Sequence, residues 1–230
     1  SGVNDLVMDP RDPDVLYATT WQRTRLKWND PRTYENHENN GVWKTTDGGS
    51  SWKQLSEGLP PSKYMGRTGI DVARSNPDVV YAFVDDYQIA FKAEEGELDS
   101  YGRPKVDVIK GATLYRSDDA GETWKQVSGM TEETKKYMSR HSGTYGWVFA
   151  QMRVDPNDED RVYTLGLWIN ISTDGGATFE PDRGKIHMDQ HGMWIDPDNS
   201  NYILAAHDGG ISVSYDKGEN WRNLIKELPL

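Results

Sequence analysis

One motif occurs four times along this chain. Residues 45–52 read TTDGGSSW, 117–124 SDDAGETW, 172–179 STDGGATF and 214–221 SYDKGENW. All four fit Ser or Thr, any residue, Asp, any, Gly, any, any, then Trp or Phe. Such recurrence demands a fold built from one repeated unit. A second shape precedes each motif: DPRDPDVLY (9–17), ARSNPDVVY (73–81), DPNDEDRVY (155–163) and DPDNSNYIL (196–204). An alternating apolar run enters, a turn rich in Asp, Asn and Pro follows, and a β-branched, aromatic run leaves.

Each unit therefore reads strand A, tight turn, strand B, connection, strand C, Asp motif, strand D. In the first unit the strands are DLVM, VLYATTW, GVWKTT and WKQL. A four-stranded unit repeated radially is a β-propeller blade. The expected fold is all-β, a β-propeller of four-stranded blades at about 1–60, 61–130, 131–183 and 184–230. Spacing between the motif aspartates, Asp47, Asp119, Asp174 and Asp216, shortens along the chain, so the earlier blades carry insertions. Helix signal is confined to TEETKKYMSR (131–140), which opens on a capping-box pattern with Thr134 in place of the usual Glu.

The repeated motif accounts for itself without a ligand. A turn between strands C and D must be tight. The Asp carboxylate can accept hydrogen bonds from N–H groups of its own turn. The Gly two positions later supplies a positive φ, and the final aromatic starts strand D and packs inward. Gly48–Gly49 and Gly209–Gly210 are not phosphate loops, because no strand-to-helix context surrounds them. A calcium loop needs several convergent oxygens, and each motif offers one or two carboxylates.

Charge narrows the partners. The chain holds 26 basic and 37 acidic residues, a net charge of −11, which argues against nucleic acid and anionic membrane surfaces. Neutral sugars, peptides or cations fit better. No cysteine is present, so neither disulfides nor thiolate chemistry operates. No apolar run is long enough to span a bilayer. Nine Trp and twelve Tyr in so polar a chain suggest many small packing units anchored by aromatics. The opening SGVNDLVMDP already lies in a strand pattern without an initiator Met, as expected of an excised piece.

The pattern S/T-x-D-x-G-x-x-W/F resembles the Asp-box, or BNR repeat, of sialidases, xyloglucanase-type glycoside hydrolases and sortilin-type propellers. The combination of VNDLVMDPRDPDVLYATTWQR, GVWKTTDGGSSWKQLSEGLP, MGRTGIDVARSNPDVVYAF and HMDQHGMWIDPDNSNYILAAHDGGISVSYDKGENW is narrower. It is similar to the large bacterial BNR-repeat proteins labelled sortilin-like or "glycosyl hydrolase". The resemblance covers nearly the whole chain. It implies a longer parent with more blades and an extracytoplasmic location. Four blades left open would expose their flanks, so further blades or a partner subunit are expected to close the ring.

Topology separates two faces. Both short motifs fall on the A–B and C–D side, the turn face. The long segments 22–40, 85–110 and 135–146 fall on the B–C and D–A side, the loop face, where a rigid scaffold would hold binding residues. Strand A is innermost, so D–A connections end beside the central channel.

The sharpest constellation there is HMDQH (187–191). In an extended segment alternate side chains share a face, so His187, Asp189 and His191 are candidate ligands of a divalent metal such as zinc, with His207 and Asp208 to complete or orient the set. A glycosidase would need two carboxylates about 5–5.5 Å or 6.5–9.5 Å apart. Asp5, Asp189 and Asp208 lead that catalytic list, with Asp85 and Asp86 behind. A sialidase would draw on Arg23, Arg25, Arg67 and Arg140 with Tyr145, though their surroundings do not match that family. Trp21, Arg23, Arg67, Tyr145, His191 and His207 are the candidate ligand-binding residues. Trp28, Trp147 and Trp168 are further stacking aromatics, the last two also readable as blade packing. The expectation is a module binding a glycan, peptide or partner subunit through the loop face; the alternative is a glycoside hydrolase with acids at the channel mouth.

Overall fold

A computed structural model describes residues 2–22, 38–141, 149–182 and 186–224, with backbone alone at 139–141. It contains four antiparallel sheets of four strands each. The first holds β1 (Gly2–Met8), β2 (Leu16–Trp21), β3 (Gly41–Thr45) and β4 (Lys53–Leu55). The second holds β5 (Met65–Val72), β6 (Val80–Phe91), β7 (Val108–Ser117) and β8 (Lys125–Gln126). The third holds β9 (Gln151–Asp155), β10 (Asp158–Leu165), β11 (Ile169–Ser172) and β12 (Glu180–Pro181). The fourth holds β13 (Gln190–Ile195), β14 (Ile203–His207), β15 (Gly210–Ser214) and β16 (Arg222–Asn223). Within each sheet the strands pair in chain order. Up-and-down sheets meeting along their inner strands, β1 on β5, β5 on β9 and β9 on β13, form an all-β propeller section.

The sheets pack because strand alternation gives each blade two apolar sides. One side faces the next blade and the other faces the preceding blade. Tyr17, Tyr81 and Tyr163 sit on the side facing the next blade, and each is 0 % exposed. Their hydroxyls donate across the interface to the carbonyls of Ala120 (2.9 Å), Glu159 (2.9 Å) and Lys217 (3.1 Å). They meet the opposite side of the following blade: Ile70, Val80 and Ala82 in the second, Met152, Val154 and Val162 in the third, Met193, Ile203 and Ala205 in the fourth. Fully burying each such side chain contributes about 1.5–3 kcal/mol. In the fourth blade Leu204 takes the tyrosine's register position, opposite Trp194.

Among the described residues, no sheet stands against the outer flanks of the first and fourth blades. Val3, Leu6 and Met8 are exposed on the first, together with Trp52, which is 38 % exposed where its counterpart Trp124 is 6 % exposed. The expectation that every motif aromatic packs inward therefore fails at Trp52, because no described sheet stands against it. On the fourth blade Trp194 and Tyr215 are exposed, with Tyr202 between them, edge-on to Trp194 and stacked on Tyr215.

Two connections differ from expectation. Segment 85–110 is not an irregular loop throughout: β6 and β7 stay paired out to Phe91 and Val108, forming a hairpin arm. Its strand residues Ile89 and Phe91 carry the alternation past the end of the sheet. Residues Glu132–His141 form helix α1, capped as its sequence indicates. The Thr134 N–H donates to the Thr131 hydroxyl oxygen, and the Thr131 N–H donates to the Thr134 hydroxyl oxygen. Met138 buries this helix against the interface of the second and third blades.

Candidate functional site: the loop face of the fourth blade

The Asp motifs come first, because their geometry decides whether they belong to the site. In each, the carboxylate Oδ1 accepts from the leading hydroxyl: Thr45 (2.7 Å), Ser117 (2.7 Å), Ser172 (2.8 Å) and Ser214 (2.8 Å). The same oxygen accepts the backbone N–H four residues on, from Ser51, Thr123, Thr178 or Asn220. Oδ2 accepts from that residue's side chain. The leading hydroxyl in turn accepts the N–H of the glycine two residues after the Asp: Gly49, Gly121, Gly176 or Gly218. Both carboxylate oxygens are thus used within the turn. These bonds hold Asp47 and Asp119 down to about 2, the hydroxyls of Ser51 and Thr123 being the main cause. Asp216 is lowered chiefly by the Asn220 side chain. At Asp174 burial pushes upward, and the hydrogen bonds from Thr178, Ser172 and the Ala177 backbone together outweigh it and leave the pKa lowered. A hydrogen-bonding side chain four residues after each Asp is the part of the motif that the pattern left as a wildcard. Ser, Thr, Thr and Asn at that place were its signal.

The loop-face site is built around the approach to β13. His191 Nε2 lies 2.8 Å from Asp208 Oδ1, joining the first turn of β13 to the β14–β15 corner, and both side chains are about half exposed. The Phe149 ring stands 5.6 Å from the His191 ring. Because Nε2 faces the carboxylate, a neutral His191 carries its lone pair on Nδ1. A carboxylate that orients an imidazole in this way is the arrangement that prepares a general base or a hydroxyl acceptor.

The other two histidines of this cluster, His187 and His207, stack on each other. His207 is buried. Its Nδ1 accepts the Gly209 N–H at 3.1 Å, so Nε2 bears the proton and faces Ser212 Oγ at 2.8 Å. Burial, and then the neighbouring His187, lower its pKa and keep it neutral. His187 stacks on it, ring centroids 5.8 Å apart, and lies directly on Gly209. A Cβ on Gly209 would stand 2.8 Å from His187 Cβ. His187 Nδ1 bonds the Met188 carbonyl at 2.8 Å.

The three-ligand metal set is not assembled. Extended geometry begins only at Gln190, and Asp189 has φ 66°, which breaks the alternation that would have aligned His187, Asp189 and His191. The turn exists because the Asp189 N–H reaches the Leu167 carbonyl (3.1 Å) and the Gln190 N–H reaches that of Gly166 (2.9 Å), pinning the approach to the third blade. Among the described residues no group of three His, Cys, Asp or Glu is placed to hold a metal.

The remaining candidates are dispersed. Asp5 lies on β1, and its oxygens accept the N–H groups of Leu6 (3.1 Å) and Ile70 (3.2 Å), so it clamps the first blade to the second. Trp21 is buried at the end of β2. Arg67 is half-buried at the β5 bulge. Asp86 is fully buried, raised by desolvation, and accepts from the Tyr115 hydroxyl at 3.0 Å. Arg23 and Tyr145 lie outside the described residues, as do Arg25, Trp28, Trp147 and the Arg140 side chain. On the same face a cavity of about 230 Å³ opens between β7 and α1, lined by Lys110, Thr113, Ser128, Thr131 and Lys135.

Fold and motif together define the class: a section of a β-propeller of Asp-motif blades. Solved structures agree. The chain superposes on a xyloglucanase of glycoside hydrolase family 74 from Xanthomonas campestris with TM-score 0.57, at 14 % identity over 96 % of this chain and 30 % of that one. An ancestral enzyme of the same family gives TM-score 0.55, at 16 % identity over 95 % of this chain and 23 % of that one. Among curated proteins the chain is similar to xyloglucanase Xgh74A of Acetivibrio thermocellus, 24 % identical over 250 residues. It is also similar to a xyloglucanase of a Paenibacillus species, 26 % identical over 232 residues. The chain spans 25 % and 20 % of the length of these two relatives. No protein-family model matches it. No described helix is long and apolar enough to cross a membrane.

Proposed function

We propose that this chain is part of a longer, glycoside-hydrolase-related propeller that binds a glycan on its loop face around His191 and Asp208. The carrying observation is the pair itself. Two half-exposed polar groups, fixed to each other at 2.8 Å beside the inner strand, leave one imidazole nitrogen and one carboxylate oxygen for sugar hydroxyls. Similarity to xyloglucanases supports a β-glucan with side chains as the glycan class. An extracytoplasmic location goes with a polymeric ligand of that kind. The exposed apolar flanks of the first and fourth blades support further blades, or a partner subunit, as the remaining component.

The test is calorimetric titration with a xyloglucan heptasaccharide. Binding should be saturable and weakened about tenfold in Asp208→Ala or His191→Ala, since each removes hydrogen bonds to hydroxyls. Wild-type affinity in both variants would refute the assignment.

The second reading is hydrolysis, favoured by the same relatives. Asp208 is its best-placed acid and a second carboxylate across the cleft is required. Release of reducing ends from xyloglucan that disappears in Asp208→Asn would support it.

A further inference from the structure

The second blade holds a cavity that the reading at His191 and Asp208 does not use. It lies between β7 and α1, and its volume is about 230 Å³. Its walls come from β7, the end of the second blade's outer strand and the first two turns of α1, so no flank of the first or fourth blade takes part in it. Met138 lines it from the helix, where it anchors α1 on the second and third blades. Thr113 and Ser128, both buried, line it from the blade. Two ammonium groups, Lys110 and Lys135, stand on its opposite walls, and Glu132 is the one acid among the described residues that line it.

These polar groups hold more donors than close acceptors. An ammonium offers three N–H donors and accepts nothing. Lys110 makes one close bond, to Gln88 Oε1 at 2.7 Å, while Gln126 Oε1 and Asp86 Oδ2 both stand at 3.5 Å. The buried Asp86 is already served by the Gln88 N–H (2.9 Å) and the Tyr115 hydroxyl (3.0 Å). Lys135 makes no side-chain hydrogen bond with a described residue. It faces the Phe91 ring at 4.9 Å and reaches Glu132 only at 3.6 Å. Glu132 is 83 % exposed, so that ion pair is worth little. Ser128 Oγ accepts the Leu114 N–H at 2.8 Å, and its own O–H finds no acceptor among the described residues. Both lysine side chains are mostly buried, 26 % and 31 % exposed, where lysine ordinarily keeps its charge in open water. A partly desolvated ammonium attracts an anion more strongly than a surface one.

We infer that this cavity binds the carboxylate of a small hydroxylated acid, with Lys110 and Lys135 on the carboxylate, the Ser128 hydroxyl on a second oxygen, and Met130 and Met138 along the carbon skeleton. Bonds from an ammonium to a carboxylate are about twice as strong as those to a neutral oxygen, so the acid is preferred to its uncharged analogue. The volume lies below the range of drug-sized pockets, roughly 300–1,000 Å³, and suits one compact molecule. Two sources share this chemistry: a free hydroxy acid, and a uronic acid unit of a glycan. The cavity belongs to the second blade and the His191–Asp208 pair to the fourth, so the failure of either reading leaves the other standing.

Titration of the protein with glucuronate, lactate and glucose, followed at the methionine methyl groups by NMR, tests this. Met130 lines the cavity and is exposed, and its resonance is assigned by its loss in Met130→Leu. The acids should shift it saturably, and glucose should bind about tenfold more weakly than glucuronate or worse, because it forfeits the charge-assisted bonds. Lys135→Gln removes a side chain that makes no hydrogen bond with a described residue. It should leave thermal unfolding unchanged and weaken the acids about tenfold. Glu132→Gln frees Lys135 from the one carboxylate it reaches among the described residues. It should tighten the acids about two- to threefold, a gain that a purely structural lysine would not show. Tighter binding of glucuronate than of lactate identifies a uronic acid; the reverse order identifies a free hydroxy acid. Glucose and glucuronate binding alike, an affinity unchanged in either variant, or no shift with either acid would overturn the inference.

Discussion

The two glycines of STDGGATF occupy adjacent positions with positive φ, 69° at Gly175 and 94° at Gly176, yet replacing them should have very different consequences. At Gly175 an added Cβ meets the ends of Arg116 and Asp160, at 3.2 Å, and the Tyr81 hydroxyl at an ordinary 3.5 Å. The same position holds Ala120 and Lys217 in other motifs, with φ 56° and 58°. Gly175→Ala should therefore cost about 1 kcal/mol, the ordinary penalty of a left-handed residue. At Gly176 the added Cβ would stand 2.3 Å from Leu114 Cδ2 and 3.1 Å from Val127 Cγ2, both in the preceding blade. Left-handed strain of about 1–2 kcal/mol then adds to overpacking of about 1–3 kcal/mol. The total for Gly176→Ala is about 2–5 kcal/mol. Urea unfolding with an m-value of about 2–3 kcal/mol/M would register it as a midpoint lower by roughly 1–2 M, against less than about 0.5 M for Gly175→Ala. Equal midpoints for the two variants would refute the claim that the motif wedges each blade onto its predecessor. A changed m-value in Gly176→Ala would show instead that the blades separate one at a time.

Acid should weaken the fold through the Asp motifs. Their native pKa values lie below the unfolded value of 3.8, at about 2 for Asp47 and Asp119. The stabilisation is therefore present above about pH 4 and is lost as pH falls through 2. Thermal midpoints measured between pH 5 and pH 2 should fall less steeply in Asp119→Asn than in the wild type; parallel curves would show that the motif carboxylates contribute nothing. Tyr163→Phe removes the hydroxyl that donates to Lys217 O across the last interface. It should cost about 1 kcal/mol in urea unfolding, and Tyr202→Phe, whose ring lies on the outer flank, about zero.

Most of the blade was legible because its determinants are local. The Asp motif closes its hydrogen bonds within eight residues, and Thr131 and Thr134 cap α1 within four. The alternation of β10 and the Asn/Asp/Pro turns are likewise short-range. The hairpin arm beyond Asp86 was not legible, since Gln88, Lys92 and the acidic run from Glu94 read as loop. There the ladder between β6 and β7 outweighs the polar composition. The loop-face site was half legible. HMDQH drew attention to His191 and Asp208, but the same pattern placed His187 and Asp189 with them. Whether alternate residues share a face depends on φ at each step, and the bond from Asp189 N–H to the third blade's Leu167 reversed one.

The sequence by itself determined the unit: four strands, an Asp turn, an aromatic anchor and the order in which they recur. Those features depend on hydrogen bonds and side-chain alternation over a few residues, which a chain carries wherever it is placed. Only the tertiary structure decided what the units make of each other. It buried Trp124 and left Trp52 exposed, although both end the same motif. It joined His191 to Asp208 and stacked His187 on His207. It brought Lys110 of β7 and Lys135 of α1 to one cavity. Each of these depends on which sheet stands beside which, and that is fixed by packing between residues distant in the chain.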